Sequence, residues 1–133
     1  IMPPSVVPTA AIDLLVVEDD YMLNRVMALQ LRIAGYSVRS TQSGVEALKL
    51  IADSIPSVLI LDVGLPDICA QDIVSKLRQN PLTSCLPLII HTTLDLTSEE
   101  KSNLKLGVSR FVTKTTAFSD RLDELIAEVL RST

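Results

Sequence analysis

Tryptophan is absent from this 133-residue sequence, histidine occurs once and cysteine twice. Aromatic residues make up 3%, namely Tyr21, Tyr36, Phe111 and Phe118. So sparse a set excludes the stacking platforms on which single-stranded nucleic acids are held. Lys and Arg total 12 against 16 Asp and Glu, net −4, with no basic cluster. A surface built to grip a phosphate backbone is therefore excluded, and no direct nucleic-acid partner is expected. Cys69 and Cys85 form neither a disulfide framework nor a Cys/His zinc spacing. Two isolated thiols fit a reducing, cytoplasmic setting. No apolar run approaches the roughly 20 residues that span a bilayer, so no membrane partner is expected. The N-terminus also lacks the basic flank and long apolar stretch of a signal peptide.

What the sequence has in quantity is aliphatic residues. Hydrophobic residues make up 47% and charged residues 21%, enough for a real core in one domain. Pro3, Pro4 and Pro8 mark residues 1–11 as a tail or linker. With Ile1 at its start, the chain reads as an excerpt of a longer protein, although a stand-alone protein also fits. Residues 12–133 form the domain.

Within that domain, short aliphatic runs alternate with helical segments. Ile12–Val17, Val58–Leu61 and Leu86–Ile90 are nearly continuous in apolar residues, the mark of parallel strands covered on both faces. Tyr36–Ser40 and Arg110–Thr113 are weaker strand candidates. Helices are predicted over Tyr21–Ala34, stopped by Gly35, and from Ser43 to about Ala52. In the second, Ser43 and Glu46 form a reciprocal capping box. Further helices follow over Gln71–Gln79, from a Thr97–Glu100 capping box to Gly107, and from a Ser119 cap to the end. Leu122, Leu125, Ile126, Val129 and Leu130 share one face of the last. The order βαβαβαβαβα implies an α/β, doubly wound, five-stranded parallel sheet with helices on both faces. Ligands of such folds sit at the carboxyl ends of the strands.

The strand ends carry chemistry. Glu18, Asp19 and Asp20 follow the first, Asp62 the third, Thr92 and Thr93 the fourth, and Lys114 the fifth. Carboxylates gathered in one cleft repel each other and favour a hard cation; with oxygen ligands only, Mg²⁺ is the natural occupant. A hydroxyl and an ammonium beside it would neutralise phosphoryl oxygens, which is most of what phosphoryl transfer demands. A carboxylate can itself be the nucleophile.

Leu15-Val16-Val17-Glu18-Asp19-Asp20, Leu59-Ile60-Leu61-Asp62-Val63-Gly64-Leu65-Pro66-Asp67, Ile89-Ile90-His91-Thr92-Thr93 and Arg110-Phe111-Val112-Thr113-Lys114 together resemble the CheY-like receiver domain of two-component response regulators. The likeness runs from Ile12 to about Arg131. It implies a flavodoxin-like strand order 2-1-3-4-5. It also implies that Asp62 is the phosphoacceptor, taking a phosphoryl group from a histidine kinase or phosphotransfer protein and signalling to a downstream effector protein or domain. Asp19 would bind Mg²⁺ directly, Glu18 through water, and Gly64 through its carbonyl. Thr92 and Lys114 would contact the phosphoryl oxygens, and Phe111 would be the aromatic switch that turns inward with Thr92. The last two helices and the fifth strand would form a partner face. Such a domain is no enzyme beyond its own phosphorylation and dephosphorylation.

The sequence departs from the family pattern in three places. Thr115 follows Lys114 where the family usually has a cis proline, and a trans or strained cis bond is expected there. Cys69-Ala70 replace an Asp-Gly pair, so the start of the third helix should differ. Gly64 replaces a larger residue, which opens the phosphoryl site to water. The alternative to a phosphoacceptor is a pseudo-receiver, an interaction module working without phosphate. An aspartyl phosphatase would need a second Asp where Gly64 stands, and no glycine-rich loop supports a flavin or nucleotide binder. His91 reads as a packed or partly exposed structural histidine. Cys69 and Cys85 read as packing residues.

Overall fold

The computed structural model describes residues 12–92, 110–113 and 118–131, with backbone alone at 92, 110–113 and 118–123. The strands are β1 (Asp13–Val17), β2 (Ser37–Thr41), β3 (Val58–Asp62), β4 (Leu88–Thr92) and β5 (Arg110–Thr113). The helices are α1 (Tyr21–Ile33), α2 (Gly44–Asp53), α3 (Ala70–Gln79) and α4 (Phe118–Arg131). The five strands form one sheet in the order β2-β1-β3-β4-β5, every pairing parallel. Both the doubly wound sheet and its strand order agree with the sequence expectation.

Alternation along the strands divides the core in two, because successive side chains leave opposite faces of a sheet. Leu14, Val16, Val58, Ile60 and Ile89 pack with Met27, Ala28 and Leu31 of α1 and Leu125, Ile126 and Val129 of α4. Leu15, Val17, Leu59, Leu61, Leu88 and Ile90 pack with Ala47 and Ile51 of α2 and Ile73, Val74 and Leu77 of α3. β3 is buried at all five positions, which explains why its sequence does not alternate.

Several boundaries differ from the sequence reading. β4 runs Leu88–Thr92 rather than Leu86–Ile90. Pro87 has no N–H to give the ladder, although its carbonyl accepts from the Leu59 N–H at 3.0 Å. The Leu86 carbonyl is taken by the Arg78 guanidinium at 2.7 Å. The apolar character of Leu86 therefore belongs to the core and not to the strand. β2 begins at Ser37, leaving Tyr36 buried just outside it. Gly35 adopts φ 105°, a conformation open to glycine, and ends α1 as expected.

The capping box at α2 is half formed. Ser43 Oγ accepts from the Glu46 N–H at 3.1 Å, but the Ser43 N–H donates to Thr41 Oγ1 at 3.2 Å and not to Glu46. α3 starts at Ala70, with Cys69 as N-cap at φ −74° and no side-chain cap bond. No positive φ is needed there. α4 starts at Phe118, so Ser119 lies inside its first turn and not at the cap. The tail over 1–11, the helix expected from Thr97 to Gly107, and the Lys114–Thr115 bond lie outside the described residues.

Candidate functional site

β1 and β3 are neighbours in register, Val17 opposite Leu61. The residues that follow, Glu18 and Asp62, therefore emerge side by side at the carboxyl edge of the sheet. Glu18 is 0% exposed and Asp62 4%, while Asp19 is exposed. One carboxylate oxygen from each of Glu18, Asp19 and Asp62 lies within 4.8 Å of the others. Two buried carboxylates and one wet one, so close together, repel each other in a setting where water screens poorly. An all-oxygen set of this kind suits a hard divalent cation.

Asp20 does not join them. Its Oδ1 accepts from the Leu23 N–H at 3.1 Å and caps α1, so the expectation of four gathered carboxylates is corrected to three. The free N–H groups at the start of α1 hold Asp20 as their cap, away from the like-charged cleft. Asp62 Oδ1 accepts from the Gly64 N–H at 3.1 Å, an Asx-type turn that orients the carboxylate. A Cβ built on Gly64 would stand 3.8 Å from both Asp62 oxygens, ordinary contact distance, so the bare backbone leaves that approach open.

The remaining predicted residues are placed by register. His91 is the partner of Asp62 across β3 and β4, and it is buried, as expected of a packed histidine. Thr92, the last residue of β4, is the partner of Thr113 of β5, and Phe111 is the partner of Ile90. Thr92 thus stands one position beyond the neighbour of Asp62, within β4 and not after it. The side chains of Thr92 and Phe111, and Lys114 altogether, lie outside the described residues. Cys69 and Cys85 are exposed, not packed.

Sequence reasoning missed the residues that hold the site together. Asn24, buried in α1, donates from Nδ2 to the Glu18 and Thr41 carbonyls, each at 3.0 Å. The Glu18 N–H donates to the Thr41 carbonyl at 3.1 Å, and Gln42 Nε2 donates to the Asp19 carbonyl at 2.9 Å. Asp67 receives Ser43 Oγ at 2.7 Å, the Gly44 N–H at 3.1 Å and the Val45 N–H at 3.0 Å. The Val45 amide and the Ser43 hydroxyl hold the Asp67 carboxyl down at about 2. An Asn on the apolar side of a helix is a signal that could have revealed Asn24. Asp67 gives no such local sign, because its partners lie more than 20 residues away.

Comparison with known proteins agrees with this geometry. Residues 14–127 match the response regulator receiver domain family. The chain is 34% identical over 116 residues to the response regulator MprA of Mycobacterium sp. strain KMS, covering 87% of this chain and 48% of that protein. It is 34% identical over 119 residues to the transcriptional regulatory protein KdpE of Mycobacterium tuberculosis, covering 90% and 51%. The chain thus spans about half the length of these curated relatives. A Chloroflexus aurantiacus J-10-fl crystal structure described as a response regulator superposes with TM-score 0.80 at 33% identity, covering 90% of this chain and 97% of that one. The fold is also that of the Vibrio cholerae chemotaxis response regulator CheY4, TM-score 0.81 at 24% identity, covering 89% and 98%. With the sheet order, the acidic cluster at its carboxyl edge and the match over most of its length, the chain belongs to the receiver domains of response regulators, the signalling modules of two-component systems.

Proposed function

We propose that this domain accepts a phosphoryl group on Asp62 from the phosphohistidine of a partner kinase or phosphotransfer protein. The observation that carries this reading is the placement of Asp62, buried at the end of β3, with its carboxylate in one group with those of Glu18 and Asp19. A buried carboxylate with two acidic neighbours is costly unless a cation or a reaction uses it.

In the proposed step an Asp62 oxygen attacks phosphorus in line with the leaving imidazole. The P–N bond breaks, and the imidazole nitrogen leaves with the bonding pair and takes a proton. The Gly64 N–H fixes the plane of the attacking carboxylate, so little orientational freedom is lost on reaction. The donor set fits Mg²⁺, which Asp19, Asp62 and the Gly64 carbonyl would hold directly and Glu18 through water. When bound, the ion supplies charge neutralisation for the transferring group. Thr92 and Lys114 are proposed to contact the phosphoryl oxygens. Phe111, on β5 beside β4, is proposed to change position with Thr92, so that phosphorylation shifts a two-state equilibrium read by an effector protein or domain. Hydrolysis by water would regenerate the carboxylate.

This reading puts the domain in the cytoplasm, a compartment that two free, exposed thiols also fit. Among the described residues no helix is long and apolar enough to cross a membrane.

The test is incubation with a small acyl phosphate and Mg²⁺, followed by intact mass. Wild type is expected to gain a single phosphoryl group and Asp62→Asn none. No addition to wild type, or equal addition to the variant, would overturn this reading, and the first outcome would leave the pseudo-receiver in its place.

A further inference from the structure

The corner between β2 and α2, Thr41 to Val45, contains no residue that the proposed chemistry uses. Both halves of the acidic cluster are nonetheless tied to it. The Glu18–Asp19 half is fastened through the Glu18 N–H and Asn24 to the Thr41 carbonyl, and through Gln42 to the Asp19 carbonyl. The Asp62 half continues into the loop 63–69, which no ladder of the sheet holds. Asp67 ties that loop to the same corner by accepting from Ser43, Gly44 and Val45. Packing seals the contact. A Cβ on Gly44 would collide with Ile68 Cγ2 and stand 2.9 Å from Ile73 Cδ1 and 3.2 Å from Leu65 Cδ1.

We infer that Asp67 is a positioning residue for the acidic site: it holds the loop after Asp62 against the β2–α2 corner and so sets the spacing between the Asp62–Gly64 and Glu18–Asp19 halves. This rests on the reading that the cluster binds Mg²⁺. The tie touches no ligand and acts through the backbone of the loop, three residues from Gly64. How firmly that loop is held bears on how closely the donors match a small ion that demands near-ideal octahedral geometry. The ordinary role of Asp67 would be to cap α2 alone, and the two roles differ in what they disturb. Loss of a cap lowers stability and leaves a folded site unchanged. Loss of a positioning tie weakens metal binding in a chain that is still folded.

The experiment is calorimetric titration of the intact chain with Mg²⁺, well below the melting temperature, for wild type, Asp67→Ala, Asp67→Asn and Asp62→Asn. Circular dichroism checks the fold of each. Asp67→Ala is expected to weaken Mg²⁺ binding about tenfold, no more than the least effect of losing a direct partner of a metal ligand. Asp67→Asn, which keeps one acceptor oxygen, should fall between it and wild type. An unchanged Kd in Asp67→Ala, even with a lower Tm, would overturn the inference and make Asp67 a plain helix cap. If Asp67→Ala fails to fold, Ser43→Ala, which removes one of the three donors, decides by the same criterion with a smaller loss of affinity. Wild type that binds no Mg²⁺, or Asp62→Asn that binds like wild type, would bring down the underlying metal-site reading itself and the inference with it.

Discussion

Glu18 and Asp62 are carboxyl groups in places where the sheet leaves almost no water, while Asp19, one residue after Glu18, stands in solvent. This asymmetry sets two carboxylates largely out of water beside one that water reaches. Gly64 contributes through what it lacks. A side chain there would stand in contact with both Asp62 oxygens without backbone strain, since among the described residues Gly35 is the glycine with positive φ. Gly64→Met should therefore shield an aspartyl phosphate from water and lengthen its lifetime roughly several-fold, on the order of 1 kcal/mol in the hydrolysis barrier. The decay of phosphorylated protein after donor removal measures this, and equal lifetimes would refute the shielding role.

At the scale of elements, α2 draws its N-terminal support from two directions. Ser43 caps it from within and Asp67 from a loop distant in sequence. The Asp67 carboxyl sits at about 2 against an ordinary 3.8. Its contribution to folding is thus complete above 3.8 and is lost as pH falls through about 2. Urea melts of Asp67→Asn and wild type should differ near neutrality and converge in acid. A gap independent of pH would show that the carboxylate charge is not what supports the helix. The elements themselves were largely legible in the sequence. β1 and β3 announce themselves because burial on both faces demands unbroken aliphatic runs. β4 was displaced because Leu86 and Pro87 are as apolar as a strand, and only the backbone accounting of Pro87 and Arg78 tells them apart. The acidic residues Glu18, Asp19 and Asp62 were legible because they follow such runs. Gln42 and Asp67 were not, because hydrogen bonds between distant loops leave no periodicity, whereas Asn24 shows only as a polar residue among the buried positions of α1. Asp20 was misplaced because a carboxylate before a helix reads the same whether it faces the cap or the cleft.

For the molecule as a whole, the cluster is a local excess of negative charge that folding must tolerate. Asp62→Asn removes one buried charge from among three carboxylates and should raise metal-free stability by roughly 1 kcal/mol, the usual direction when an active site is relieved of strain. Mg²⁺ should stabilise wild type by mass action, about 1.4 kcal/mol at ten times its Kd, and leave the variant nearly unmoved. Thermal melts with and without Mg²⁺ check both. A variant that melts earlier than wild type in the absence of metal would contradict the picture of repelling carboxylates. The split of the core between α1 and α4 on one face and α2 and α3 on the other means that these charges emerge where the two apolar layers meet the edge of the sheet.

The junction of Gly44 with Leu65, Ile68 and Asp67 bears on how receiver domains can be recombined. A graft that replaced α2 alone would keep Ser43 and the two backbone amides that Asp67 accepts from, but any residue other than glycine at its first position would set a side chain against Ile68. A transplanted α2 therefore has to begin with glycine, and its recipient has to present a carboxylate in the place of Asp67 and the packed side chains of Leu65 and Ile68.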